Sequence, residues 1–169
     1  MRRQPSIEGG RWLETEGGPV LLCPVSQLLS WTGYNGDYDL VIEMTDSGHS
    51  ECYVLPERKV VIFGDEPLPT TVIESRSLIV QIIYANSEED VRKYASEVDL
   101  DAIAWHEGPV LESDGRLALM DAATPGDEVA EKDVFVFELD FGKFRVDSAE
   151  VPLAPHTAAK LHRLVPLTD

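Results

Sequence analysis

Four apolar residues, Val60 to Phe63, run into Gly64, then two carboxylates, then two prolines set one leucine apart. No other stretch constrains the fold as tightly as this one, VVIFGDEPLPTT. A short apolar run that ends at Gly and Pro reads as a buried strand stopping at a turn. Pro67 and Pro69 hold themselves and the residues before them in extended conformations. Asp65 and Glu66 are therefore expected on a stiff loop at a sheet edge. Two readings stand at this point: a rigid solvated turn, or a pre-organised acidic recognition loop.

Short apolar runs bounded by turn residues recur along the chain. Strands are predicted at Val20–Cys23, Tyr38–Met44, Cys52–Leu55 and Lys59–Phe63, with Thr71–Ile73 extending the pattern past the prolines. Leu78–Tyr84 (LIVQIIY) is the most apolar and is expected inside a sheet. Val25–Trp31 fits one or two helical turns, and Thr32–Asp37 a loop. The best-defined helix begins after Ser87, with Asp90 three residues on in a near capping-box pattern. Its apolar stripe is Val91, Tyr94, Ala95 and Val98. Beyond it, strands are predicted at Val110–Glu112, Leu117–Met120, Val134–Asp140, Lys143–Val146 and Lys160–Val165, with a short helical turn over Ala154–Ala159. The Val134–Phe141 run reads as one arm of a hairpin turning near Gly142.

Two segments resemble each other. LETEGG, from Leu13, and LESDGR, from Leu111, each lead into an apolar strand, and DYDLVIEM and DVFVFELD follow in similar places. The fold class expected is α+β, mostly antiparallel, with two related β-rich halves (11–100 and 101–169) joined by one helix. Residues 11–169 are expected to form one domain after a disordered lead-in, 1–10.

Charge narrows the function. Lys and Arg total 14 against 31 Asp and Glu, a formal net charge of −17. Unassisted nucleic-acid binding needs a basic face, and anionic membranes repel such a chain. A basic protein partner is the complement of this field, although acidity also serves plain solubility. No apolar run approaches the roughly 20 residues of a membrane span. MRRQPSIEGGRW carries two arginines but no apolar region after them, so a cytoplasmic protein is expected.

Catalytic and metal signatures are missing from the sequence. Cys23 and Cys52 form no CxxC, and His49, His106, His156 and His162 show no helical pairing. Neither a GxSxG nor a P-loop occurs. Carboxylate pairs are too numerous for any one to signal acid–base work. The expectation is no cofactor, no metal and no enzyme. Surface recognition remains: Trp31, Tyr34, Asp37 and Tyr38 gather around a Gly-rich loop, and Trp and Tyr are enriched at binding hot spots. Trp31 and Tyr38 could equally face the core.

With these residues assembled, the chain resembles the Imm21 family of immunity proteins from bacterial polymorphic-toxin systems. The resemblance lies in Trp12-Leu13-Glu14-Thr15-Glu16-Gly17-Gly18-Pro19, in Leu28, Leu29 and Trp31 before Asp37-Tyr38-Asp39, and most sharply in Phe63 to Thr71 followed by VQIIYANS. It is looser in the C-terminal part, and Met44 to Glu57 departs from the pattern. The resemblance implies a mostly β protein that binds and neutralises one cognate toxin domain. Trp31, Tyr34, Asp37, Asp65 and Glu66 are the partner-binding candidates. The alternatives are a small-molecule or carbohydrate-binding module, marked by a pocket joining Trp105, His106 and Asp65, and a small hydrolase using Asp65 or Glu66.

Overall fold

The computed structural model describes residues 11–47, 52–55, 58–64 and 66–168. The expected lead-in, His49 and Asp65 lie outside the described residues. Among the described residues, ten strands form two antiparallel five-stranded sheets. The first contains β1 (Val20–Pro24), β2 (Cys52–Leu55), β3 (Val60–Phe63), β7 (Arg116–Asp121) and β8 (Val134–Glu138), in the order β2-β3-β1-β7-β8. The second contains β4 (Thr70–Ile73), β5 (Leu78–Tyr84), β6 (Val110–Ser113), β9 (Gly142–Ala154) and β10 (Thr157–Pro166), in the order β4-β5-β10-β9-β6. With two short α-helices, this is the mostly antiparallel α+β class expected from the sequence.

The two sheets share one apolar interior. Val20, Leu22, Phe63, Leu119, Phe135 and Phe137 of the first sheet pack with Val72, Ile79, Phe144, Val146 and Leu164 of the second. Each outer face is also covered, which is why β1 is buried at all five positions and reads as a continuous apolar run. On the first sheet, Trp31 and Val41 pack against Leu21, Cys23 and Ile62. On the second, helix α2 (Glu88–Glu97) lays Val91 and Ala95 onto Leu78, Val80 and Leu161. The Ser87 hydroxyl caps α2 by accepting from the Asp90 N–H at 3.1 Å. At its other end the Arg76 guanidinium donates to the carbonyls of Ala95 and Val98, which the helix itself leaves unpaired.

Strand pairing repeats between the first and second parts of the chain. Leu13 bridges β4, β1 pairs β3, and β4 pairs β5. In the same order β6 pairs β9, β7 pairs β8, and β9 pairs β10. The β1–β7 and β5–β10 ladders join the two sets. Each sheet thus draws strands from both parts.

Three expectations are corrected. Tyr38–Met44 is not a strand but lies within helix α1 (Asp37–Ser47). Asp37 and Asp39 favour the positive end of a helix, and Tyr38, Val41 and Met44 fall on one helical face, while Leu40 and Ile42 are exposed. The DYDLVIEM–DVFVFELD match therefore sets a helix against a strand. Second, β8 and β9 form no hairpin with each other. The chain crosses between sheets at residues 139–141, and Phe135 and Phe137 meet Phe144 across the interior rather than side by side. Third, Ala154–Ala159 holds no helical turn. It contains the tight Pro155–His156 turn joining the two longest strands, β9 and β10.

Candidate functional site

Register fixes which loops share an end of the first sheet. Val20 is opposite both Phe63 and Asp121, so β1 enters where β3 and β7 leave. The turn before β1, the proline loop after β3 and the loop after β7 all emerge there. Asp121 fastens two of them: one carboxylate oxygen accepts the Glu16 N–H at 3.1 Å, the other the Ala123 N–H at 2.9 Å. Glu14, Glu16, Glu66, Asp127 and Glu128 are exposed on these segments.

A zip of backbone and indole bonds brings Tyr34 to the same end. The Trp31 indole N–H donates to the Ala122 carbonyl at 2.9 Å, the Gly126 N–H to the Trp31 carbonyl, and the Tyr34 N–H to the Ala123 carbonyl. Two glycines permit this approach. A Cβ at Gly126 would stand 1.7 Å from the Leu28 carbonyl oxygen. At Gly33 it would stand 2.6 Å from the Ala123 carbonyl, with φ at +52°. The Tyr34 ring, 60% exposed, is left pointing outward from a fastened loop. Its hydroxyl donates to a Glu128 carboxylate oxygen. That bond, helped by the negative charge of Glu128 and Asp127, raises the Tyr34 pKa above the usual phenol range.

The structure separates the four candidate residues it describes, Asp65 lying outside them. Tyr34 and Glu66 are exposed and leave from this one end. Trp31 is 2% exposed, so its ring belongs to the core and offers no face to a partner. Asp37 is also 2% exposed. It accepts from the Thr32 N–H at 2.8 Å, its own N–H donates to the Thr32 hydroxyl, and Arg58 pairs with it at 2.9 Å. Those bonds make it the fastening of the α1 start rather than a surface acid. The exposure of Tyr34 agrees with its Gly-Tyr-Asn-Gly composition, which favours a tight outward turn. Glu128, whose pairing with Tyr34 spans 94 residues of chain, carries no local signal in the sequence.

Among the described residues, Arg11, Arg58, Arg76, Arg145 and Arg163 are engaged within the molecule. Arg145 and Arg163 close on the buried Asp147 at 2.5 and 3.2 Å. Burial works against the Asp147 charge, but the two guanidiniums outweigh it and hold its carboxyl below the usual range. Arg11 donates to the Lys132 carbonyl and lies over the Phe135 ring.

The Ser–His contact in the interior is not placed for hydrolysis. Ser148 Oγ lies 2.7 Å from His162 Nδ1, and His162 Nε2 lies 2.8 Å from Gln81 Oε1, but all three side chains are buried between the sheets. Burial, with Lys160 adding to it, pushes the His162 pKa down to about 3, so the ring is neutral. Trp105 is not an open platform for a sugar: its N–H donates to the Leu100 carbonyl and Arg163 covers its ring at 4.6 Å. Neither Trp105 nor His106 lines the cavities of about 480 and 520 Å³ described in this chain. Among the described residues, no three His, Cys, Asp or Glu gather as a metal site would require. No helix there is long and apolar enough to cross a membrane.

One family, Imm21 (immunity protein 21), matches residues 11–157 of the chain. Comparisons with curated proteins and with solved structures gave no match.

Proposed function

The chain belongs to the Imm21 family of immunity proteins, and on that premise we propose that it binds one cognate toxin domain and neutralises it as a stoichiometric inhibitor. The observation that carries the contact site is Tyr34, an exposed aromatic ring on a loop pinned at Trp31, Ala123 and Gly126. An anchor held in place before binding loses little conformational freedom on binding, and Tyr is among the residues that dominate interface energies. Around it, Glu14, Glu16, Glu66, Asp127 and Glu128 suit a basic surface on the toxin. Inhibition then consists of covering the toxin's active site or substrate groove, with no chemistry supplied by the inhibitor. The protein works in the cytoplasm of the cell it protects, with no nucleic-acid or membrane partner and no cofactor.

The test is co-expression with the toxin domain encoded beside this gene, followed by light scattering on the purified mixture. The expected result is restored growth and a one-to-one complex. Growth restored without any complex would contradict stoichiometric inhibition.

A further inference from the structure

At the opposite end of the first sheet, where Pro24 pairs with Leu117, the surface forms a groove of about 480 Å³. Phe141 stands on its rim and is 85% exposed, on the crossing from β8 to β9. Pro24 and Leu167 supply apolar wall, and Lys59, Glu112, Asp114 and Lys143 supply charge. The walls are fixed before anything binds. The Ser26 N–H donates to Asp114 at 3.3 Å, which ties the β6–β7 turn to the segment after β1. The Leu167 N–H donates to the Lys143 carbonyl at 2.9 Å, which ties down the C-terminal segment.

Charge is balanced in this groove, unlike in the chain as a whole. Two lysines and two carboxylates line it, in a chain whose net charge is −17. Lys59 and Lys143 are exposed, and neither forms an ion pair with a described residue. Two copies of so acidic a chain repel each other over most orientations. Here they need not, because a two-fold axis can set Lys143 of each copy against Glu112 or Asp114 of the other. A two-fold interface uses the same patch twice and must be self-complementary. This patch carries a protruding ring, an apolar recess and balanced charge together.

We propose that this face joins two copies of the chain into a two-fold dimer, with Phe141 of each copy seated against the half-buried Leu167 of the other, over a floor closed by the buried Pro24. The Tyr34 ends then point away from the junction and stay open, so the proposal stands apart from the toxin-binding reading.

Sedimentation velocity on the purified full chain, from micromolar to millimolar concentration, tests it. Wild type should shift from monomer to dimer across that range. Phe141→Asp and Lys143→Glu should each raise the dimer dissociation constant by roughly tenfold or more, as loss of a central anchor does. Both positions are exposed, so thermal melts should stay within a few degrees of wild type. Tyr34→Ala should leave the dimer unchanged. A wild type that stays monomeric throughout overturns the proposal and leaves the groove to another occupant. A dimer that survives Phe141→Asp, or is indifferent to Lys143→Glu, overturns it as well.

Discussion

The Trp31 indole N–H donates to the carbonyl oxygen of Ala122 across 2.9 Å, joining segments 91 residues apart in the chain. Trp31 is thus the fastening beneath the exposed Tyr34 loop. Trp31→Ala should destabilise the fold by about 3–5 kcal/mol, the usual cost of emptying an aromatic core site. Trp31→Phe keeps most of the ring volume but orphans the carbonyl, and should cost closer to 1–3 kcal/mol. Urea unfolding of the two variants separates packing from hydrogen bonding.

Asp37 makes a second prediction. Its carboxylate serves the Thr32 N–H and Arg58, so Asp37→Ala should lower stability by about 1–3 kcal/mol. Under conditions where the variant remains folded, its affinity for the toxin domain should equal that of wild type. A melting temperature unmoved by Asp37→Ala would return the residue to the list of surface contacts.

Much of the fold is legible in the sequence because strands here are short apolar runs closed by Gly, Pro or acids. β1 and β3 follow that grammar directly, and α2 is marked by its Ser87 cap and apolar stripe. LETEGG and LESDGR hold matching places: Leu13 lies beside one edge strand of the second sheet, Leu111 lies in the other, and each leads into a member of the central β1–β7 pair. Helix α1 is hidden in the sequence because Tyr38, Leu40 and Ile42 mimic a period of two, and only the burial of Asp37 and Val41 reveals the helical face. At the candidate site, Tyr34 was legible from its flanking glycines. The depth of Trp31 and the Tyr34–Glu128 pairing were not, because both depend on the 122–128 loop, far away in sequence.

A third prediction concerns pH. The His162 pKa falls from 6.5 to about 3 in the folded chain, first through burial and then through Lys160. The unfolded chain therefore binds the extra proton between those values, and stability is full above about pH 6.5 and lost on acidification below it. Melting temperature should already decline between pH 6.5 and 5, before most carboxylates titrate. His162→Gln should flatten that part of the profile. An unchanged slope in the variant would assign the acid sensitivity to other groups.

Salt supplies a fourth. If the exposed acids steer a basic toxin domain, the association rate should fall steeply as salt rises, since the screening length contracts to about 10 Å at 0.1 M. The dissociation rate should change far less. An association rate flat across the salt series removes steering from the account while leaving the contact itself in place.

The most direct test of the central claim is the dissociation rate of the toxin domain from Tyr34→Ala beside wild type, measured by surface plasmon resonance at fixed salt. Tyr34 is exposed, so the variant should melt within a few degrees of wild type. The account predicts a dissociation rate faster by roughly tenfold or more, because the loss of an anchor residue appears mainly in that rate. A complex that lasts equally long with Tyr34→Ala would contradict the assignment of this acidic end as the toxin-binding surface.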